Sequence, residues 1–217
     1  MKEEIVNYLN VVRRDFSGKP LTEGSVHENP IEQYAIWFEE AIDAQLLDPY
    51  AMSLTTVSAN GQPSTRILYM RGIKSDGFVF YTNYNSDKGS DLAANNKVAL
   101  NFFWGELERQ IRVEGEVEKV SEADSDTYFA QRPRESQIGA WASLQSEEIT
   151  DRKQLEEQVT FYTEKFKGME VSRPAHWGGY VVKPTKVEFW QGRPSRLHDR
   201  IVYSKNGNEW KQSRLSP

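Results

Sequence analysis

The chain has 217 residues, 27 Lys and Arg against 32 Asp and Glu, three His and no Cys. That length fits one domain with helical additions, and a net charge of −5 argues against a general nucleic-acid surface, so any anion site must be a local cluster of cations. Without Cys there are no disulfides, thiolate zinc sites or Cys nucleophile, and His27, His176 and His198 are too few for a His-rich metal centre. Six Trp, ten Tyr and ten Phe can build a ring-rich core, part of which a second subunit can cover. Met1-Lys2-Glu3-Glu4-Ile5 lacks an apolar signal core and no run approaches a membrane span, so a soluble cytoplasmic protein without a membrane partner is expected.

In chain order, residues 1–16 read as a short helix stopped by Ser17-Gly18-Lys19-Pro20. Ile31, Tyr34, Phe38, Ile42 and Leu46 recur at helical spacing between Pro30 and Asp48-Pro49. Strands follow at 51–58 and 64–70, joined by an Asn60-Gly61 turn, and at 78–81 after Ser75-Asp76-Gly77. A helix-like segment begins at Gly89, and 98–104 and 109–120 form the next strand pair. Ser121 caps a helix through about Gln131 that ends before Pro133. Helical stretches follow at 138–144 and 151–167, the latter with Leu155, Val159, Tyr162 and Phe166 on one stripe and Gly168 as stop. Strands return at 179–182, 186–191, 199–204 and 209–214, the last two around Asn206-Gly207. The expected class is α+β: a mainly antiparallel β-barrel with N-terminal helices and a helical insertion, one domain overall. No dinucleotide fingerprint and no P-loop is present.

Five clusters carry candidate chemistry. If the segment after Gly192-Arg193-Pro194 is extended, Arg196, His198 and Arg200 share a face opposite Leu197, Asp199 and Ile201. Two guanidiniums around an imidazole suit a phosphorylated small molecule with a proton-handling group between the anchors; a solvated edge-strand face is the competing reading. Arg66 and Arg71 fall on opposite faces of a regular strand, and both serve one pocket only if the strand bulges or ends between them. Tyr81 to Lys88 is a strand end entering a helix start, a phosphate cradle or a plain capped turn. Gln110, Arg112 and Glu114 share a face, offering an amide for a heterocycle or a solvated surface. Tyr128 and Arg132 lie one helical turn apart, with Ser136 past Pro133, and the two Arg flanking that proline, Arg132 and Arg134, favour a nearby anion.

With these segments together, the chain resembles the pyridoxine/pyridoxamine 5′-phosphate oxidase family from about Arg13 to Pro217. The most specific stretches are 131–141 (Gln131-Arg132-Pro133-Arg134 to Trp141), 188–200 (Glu188-Phe189-Trp190-Gln191-Gly192 to Arg200), Trp210-Lys211 and Arg214-Leu215-Ser216-Pro217. The resemblance implies a homodimeric split β-barrel with FMN at the subunit interface. Residues 1–50 would be an N-terminal helical segment packed on the barrel, and 51–217 the FMN-binding domain with a C-terminal dimerisation and substrate region. It assigns FMN contacts to Arg66, Ile67, Leu68, Tyr69, Met70, Arg71, Tyr81, Thr82, Asp87, Lys88, Gln110, Gln145, Ser146, Trp190 and Arg200. Arg71, Tyr128, Arg132 and Ser136 would hold the substrate's phosphate, Arg196 and His198 its ring and reacting end, and Arg13, Arg14, Asp15 and Phe16 would close over it. The implied reaction oxidises pyridoxine 5′-phosphate and pyridoxamine 5′-phosphate to pyridoxal 5′-phosphate, with dioxygen reduced to hydrogen peroxide and no metal. A split-barrel flavoprotein with another substrate, or a non-catalytic binder of FMN or pyridoxal phosphate, are the rivals. Three positions depart from the family pattern: Arg71 stands for a Lys, Asp87 for an Arg and Phe16 for a Tyr.

Overall fold

The computed structural model describes residues 2–217. Its helices are α1 (Glu3–Val11), α2 (Pro30–Asp43), α3 (Asp87–Ala94), α4 (Glu122–Ala130), α5 (Arg134–Ala142) and α6 (Arg152–Lys165). The strands are β1 (Ala51–Val57), β2 (Pro63–Tyr69), β3 (Gly72–Lys74), β4 (Gly77–Asn83), β5 (Lys97–Trp104), β6 (Arg109–Lys119), β7 (Trp177–Gln191), β8 (Asp199–Asn206) and β9 (Glu209–Arg214). The chain divides into two compact units. One comprises 50–102 and 112–186; the other comprises 1–49, 103–111 and 187–217.

In the first unit the strand order is β2-β1-β5-β6-β7-β4-β3. β1 pairs antiparallel with β2 and β5, and β4 with β3 and β7. Strict alternation in β1 sends Met52, Leu54 and Thr56 inward, where they meet a ring-rich core that includes Phe78, Phe80 and Phe102. A second apolar cluster gathers Phe129, Ile138, Phe166, Val171 and Trp177 from α4, α5, the end of α6, the segment after it and the start of β7. Ser121 caps α4 by accepting from the Asp124 N–H at 3.0 Å, as its position predicts. Ser86 caps α3 in the same way from Gly89, so that helix begins earlier than the sequence indicated. A Cβ at residue 89 would collide with the Tyr84 carbonyl, so glycine is what lets α3 start against that loop.

The second unit is built on α2, whose buried Tyr34 and Trp37 face the interior. Trp37 meets Phe189 edge-on at 5.1 Å, and the Trp104 indole donates to the Pro49 carbonyl at 3.0 Å. β8 and β9 form a hairpin closed at Gly207, which takes the left-handed φ of 61° that the turn requires.

Several sequence expectations need correction. The first helix ends at Val11 rather than residue 16, and residues 12–21 form no regular element. The proposed strands 179–182 and 186–191 are one strand, β7, that runs through Pro184. The three-residue β3 carried no periodicity to read. α5 starts directly after Pro133, whose φ of −51° suits a helix entry. The apolar stripe of α6 is largely solvent-facing: no residue within the helix is buried, and only Phe166 at its end is.

Candidate active site

A cavity of about 880 Å³ opens in the first unit. Four elements supply its chemistry. β2 and the residues after it bring Ile67, Leu68, Tyr69 and Arg71; β4 brings Tyr81, Thr82 and Asn83; α4 and its exit bring Tyr128, Gln131 and Arg132; α5 and its exit bring Ser136 and Gln145. Two cations and no carboxylate line it, in a chain of net charge −5, so its local field favours an anion.

β2 ends at Tyr69, which frees Arg71 from strand alternation and turns it into this cavity. Its guanidinium lies 5.3 Å from the Tyr50 ring centroid and 5.1 Å from that of Tyr69, an aromatic clamp that fixes its aim. Arg132 stacks 4.5 Å over Trp177, and its Nη1 is buried with no hydrogen-bond partner. Burial, opposed by Tyr128 and reinforced by Arg71, pushes the Arg132 guanidinium down from its ordinary value. A buried donor of this kind is costly unless an acceptor reaches it, and a phosphate oxygen is the acceptor that Arg geometry suits. Tyr81 and Tyr128 stack at 3.8 Å, within 6° of parallel, as one wall. Burial, with Asp124, pushes the Tyr81 phenol up, so it stays protonated as a donor.

Arg134, expected to share an anion with Arg132, does not. It donates to the carbonyls of Phe166 at 2.6 Å and Met169 at 3.0 Å, closing the end of α6. Truncation should therefore separate the two. Arg134→Ala is expected to lower unfolding free energy by about 1–2 kcal/mol, read from the urea midpoint, while leaving small-anion affinity unchanged; an anion-binding defect in this variant would contradict the assignment.

A second recess of about 320 Å³ shares Ile67, Leu68 and Gln145 with the first and adds Arg66, Asp87, Lys88 and Ser146. Arg66 donates to Thr56 Oγ1 at 2.8 Å, and Thr56 in turn donates to Asp91 at 2.6 Å, which holds the guanidinium in place. Buried Lys88 donates to Gln145 Oε1 at 2.9 Å and Ser86 Oγ at 3.1 Å. Its ammonium is pushed down by burial and then by Arg66, the mark of two cations facing one space. Ser146 takes a left-handed φ of 77° and accepts from the Asp87 N–H at 3.2 Å. Met70 is buried beside the Arg71 clamp rather than lining either recess.

The second unit holds the other candidate cluster. Its extended reading fails: 194–196 is a tight helical turn in which Ser195 and Arg196 have φ of 58° and 60°. Arg196, His198 and Arg200 therefore share no strand face, and β8 starts only at Asp199. Arg196 is exposed, while Arg200 spends three of its N–H donors on Glu188, at 2.8 and 3.0 Å, and on the Ser216 carbonyl. The Arg193 N–H donates to His198 Nδ1 at 3.1 Å, so the neutral ring carries its proton on Nε2. Burial, then Arg196, pushes the His198 imidazole down. Trp190 lies 4.6 Å from the His198 ring and Phe16 5.0 Å from it. Arg14 donates to Glu108, Arg13 to the Val12 carbonyl, and Asp15 accepts from the Phe16 N–H. Gln110 is half-buried on the face of β6 opposite Ile111.

Asn83, Gln131, Arg193 and Glu108, which lie within the candidate segments, and Trp177, which lies outside them, carried no expected role. Gln131 precedes Arg132-Pro133-Arg134, whereas Trp177 had no signal beyond its neighbour His176, whose Nε2 lies 3.1 Å from the Ala140 carbonyl in a structural contact. Among the described residues no group of His, Asp and Glu is arranged to hold a metal, and no helix is long and apolar enough to cross a membrane.

Together these features define an antiparallel β-protein with a cation-lined, aromatic-walled cavity whose chemistry suits an anion. Residues 38–164 match the family model for pyridoxamine 5′-phosphate oxidase, and 177–217 match that for the pyridoxine 5′-phosphate oxidase C-terminal dimerisation region. The chain belongs to the pyridoxamine 5′-phosphate oxidase family. It is 51% identical over 208 residues to the pyridoxine/pyridoxamine 5′-phosphate oxidase of Cytophaga hutchinsonii, covering 95% of this chain and 97% of that one. To the protein of the same description from Cupriavidus metallidurans it is 54% identical over 207 residues, with the same coverage. Among solved structures it resembles PhzG from Burkholderia lata in complex with tetrahydrophenazine-1-carboxylic acid, with a TM-score of 0.87, 28% identity, and 93% and 100% of the two chains covered. A pyridoxamine 5′-phosphate oxidase-related, FMN-binding protein from Nostoc punctiforme shares the fold at a TM-score of 0.68 and 16% identity, over 92% of this chain and all of that one. The fold class is thus the α+β split barrel that the sequence predicted.

Proposed function

We propose that this chain is an FMN-dependent oxidase that converts pyridoxine 5′-phosphate and pyridoxamine 5′-phosphate to pyridoxal 5′-phosphate. The observation that carries this reading is the buried, unpartnered Nη1 of Arg132 in a cavity that Arg71, Tyr128 and Ser136 also line. It is supported by identities near 50% to proteins described as such oxidases, over nearly the whole chain.

The residues present fit FMN: the adjoining recess offers Arg66, Lys88 and Ser146 to a phosphate, and Thr82, Gln145 and the 67–71 segment border the larger space. Gln110, Trp190 and Arg200 join this set by resemblance. Bound there, FMN would supply a two-electron acceptor that dioxygen can reoxidise. The chain's own part is to hold, orient and shield. Arg71, Tyr128, Arg132 and Ser136 grip the phosphate, which fixes the distance from that end to the reacting carbon. Arg196 and His198 orient the ring and its reacting end, with His198 Nε2–H available as donor toward the substrate's oxygen or nitrogen. The alcohol loses two hydrogens to give aldehyde while dioxygen becomes hydrogen peroxide; the amine also consumes water and releases ammonia. In this reading 51–217 form the FMN-binding domain, 1–50 its helical addition, and the active form is a cytoplasmic homodimer. The C-terminal dimerisation match supports the dimer, as do exposed apolar side chains such as Ile67, Tyr69 and Leu144.

In air, pyridoxamine 5′-phosphate is expected to give aldehyde and ammonia in equal amounts, and pyridoxine 5′-phosphate aldehyde without ammonia. Aldehyde from neither would overturn the proposal. Asp87 places an anion in the recess assigned to the FMN phosphate. Asp87→Arg is expected to tighten FMN by about three- to tenfold in a fluorescence titration; equal or weaker binding would refute that account of Asp87.

A further inference from the structure

Glu108 stands in the turn between residues 105–107 and β6, with a left-handed φ of 55° that a Glu rarely adopts. Its side chain is only 11% exposed although it belongs to a turn. Oε2 accepts from the backbone N–H groups of Ser17 and Gly18, each at 2.8 Å, and Oε1 from Arg14 Nη2 at 3.2 Å. Its carbonyl accepts from the Gly192 N–H at 2.7 Å and from Gln191 Nε2 at 3.2 Å. One residue therefore ties the segment 14–18, which has no regular structure of its own, to the end of β7. Burial pushes the Glu108 carboxyl up, but the Ser17 and Gly18 N–H groups and Arg14 outweigh it and hold the group below its ordinary value.

The consequence falls on Phe16. Pinned on both sides by the bonds to Arg14 and Ser17, its ring stands edge-on to His198 at 5.0 Å and to Trp190 at 5.7 Å. The seat is close: a Cβ on Gly192 would collide with Phe16 and Glu108, and one on Gly18 with Gln191 and the Gly192 carbonyl. Arg193, whose N–H fixes the His198 tautomer, also donates from Nη1 to the Gly18 carbonyl.

We propose that Glu108 is the positioning residue that seats segment 14–18 against His198 and Trp190, and that it sets affinity for the substrate's ring without contacting the substrate. The first half stands on the geometry above; the second rests on the proposed oxidase reading. The test uses the full chain and two variants, Glu108→Ala and Glu108→Gln, with limited trypsin cleavage after Arg14 and steady-state kinetics on pyridoxine 5′-phosphate. Losing three charge-assisted hydrogen bonds, one of them an ion pair with Arg14, is expected to speed cleavage at Arg14 about tenfold in Glu108→Ala. KM should rise about tenfold with kcat within about threefold. Glu108→Gln keeps one acceptor oxygen and should fall between wild type and Ala on both scales, which also carries the test if the Ala variant does not fold. Wild-type cleavage and KM in both variants would overturn the proposal. So would cleavage accelerated equally at all sites with kcat falling alongside, the pattern of general loosening. Absence of wild-type turnover would overturn the oxidase reading instead, and the cleavage contrast at Arg14 would then decide the seating alone.

Discussion

Replacing Arg132 with Ala is expected to raise KM for pyridoxine 5′-phosphate by about 100-fold or more while changing kcat far less. The guanidinium is partly buried over Trp177, with Nη1 lacking any acceptor. Each charge-assisted bond to a phosphate contributes about 1.5–3 kcal/mol, and two such bonds at about 1.4 kcal/mol per decade give roughly two to four decades. Arg132→Lys keeps the charge but loses the planar fork, so it should recover only part of the affinity. The unphosphorylated alcohol should be indifferent to both substitutions. An Arg132→Ala enzyme with unchanged KM for the ester would remove Arg132 from the phosphate site.

The second large effect is expected at Arg196, and there in kcat/KM. Arg196 holds a left-handed φ of 60° next to Ser195 at 58°, and such strain at non-glycine residues clusters at functional sites. Removing a group that orients the reacting end and stabilises charge there should lower kcat/KM about 100- to 1000-fold. Arg196→Gly separates function from folding, because glycine tolerates that φ: stability should be equal or higher by up to about 1 kcal/mol while turnover collapses. Wild-type kcat/KM in Arg196→Gly would end its assigned role. His198 adds a pH signature. Its imidazole is pushed down by burial and by Arg196, so protonation of this group should depress turnover only below the ordinary histidine range. An acid limb that shifts above that range, yet vanishes in His198→Asn, would contradict the sign.

That Tyr128, Arg132 and Ser136 line one cavity was legible because their spacing follows helix geometry. Tyr128 and Arg132 are one turn apart, Pro133 bends the chain, and Ser136 returns to the same cavity. Alternation also placed Met52, Leu54 and Thr56 inward, and Ser121 announced α4. The arrangement of Arg196, His198 and Arg200 was less legible, since two consecutive positive φ values break the two-residue period assumed for 193–200. Arg134 misled for a different reason. Two Arg separated by one Pro look alike in sequence, but the start of α5 sends the second to carbonyls at the end of α6, a contact 32 residues distant. The role of Glu108 was not legible because its partners, the Ser17 and Gly18 N–H groups and the Arg14 side chain, lie some 90 residues earlier, which no local pattern records.

The central claim is that the cavity bounded by Arg71, Tyr128, Arg132 and Ser136 grips the phosphate of a substrate that this chain oxidises. Its most direct test is aerobic turnover by the FMN-loaded protein on pyridoxine 5′-phosphate and on unphosphorylated pyridoxine, with aldehyde and hydrogen peroxide measured together. The account predicts one peroxide per aldehyde and a kcat/KM for the ester at least about 1000-fold higher. Equal efficiency on the two alcohols, or no aldehyde from the ester with FMN bound, would contradict it.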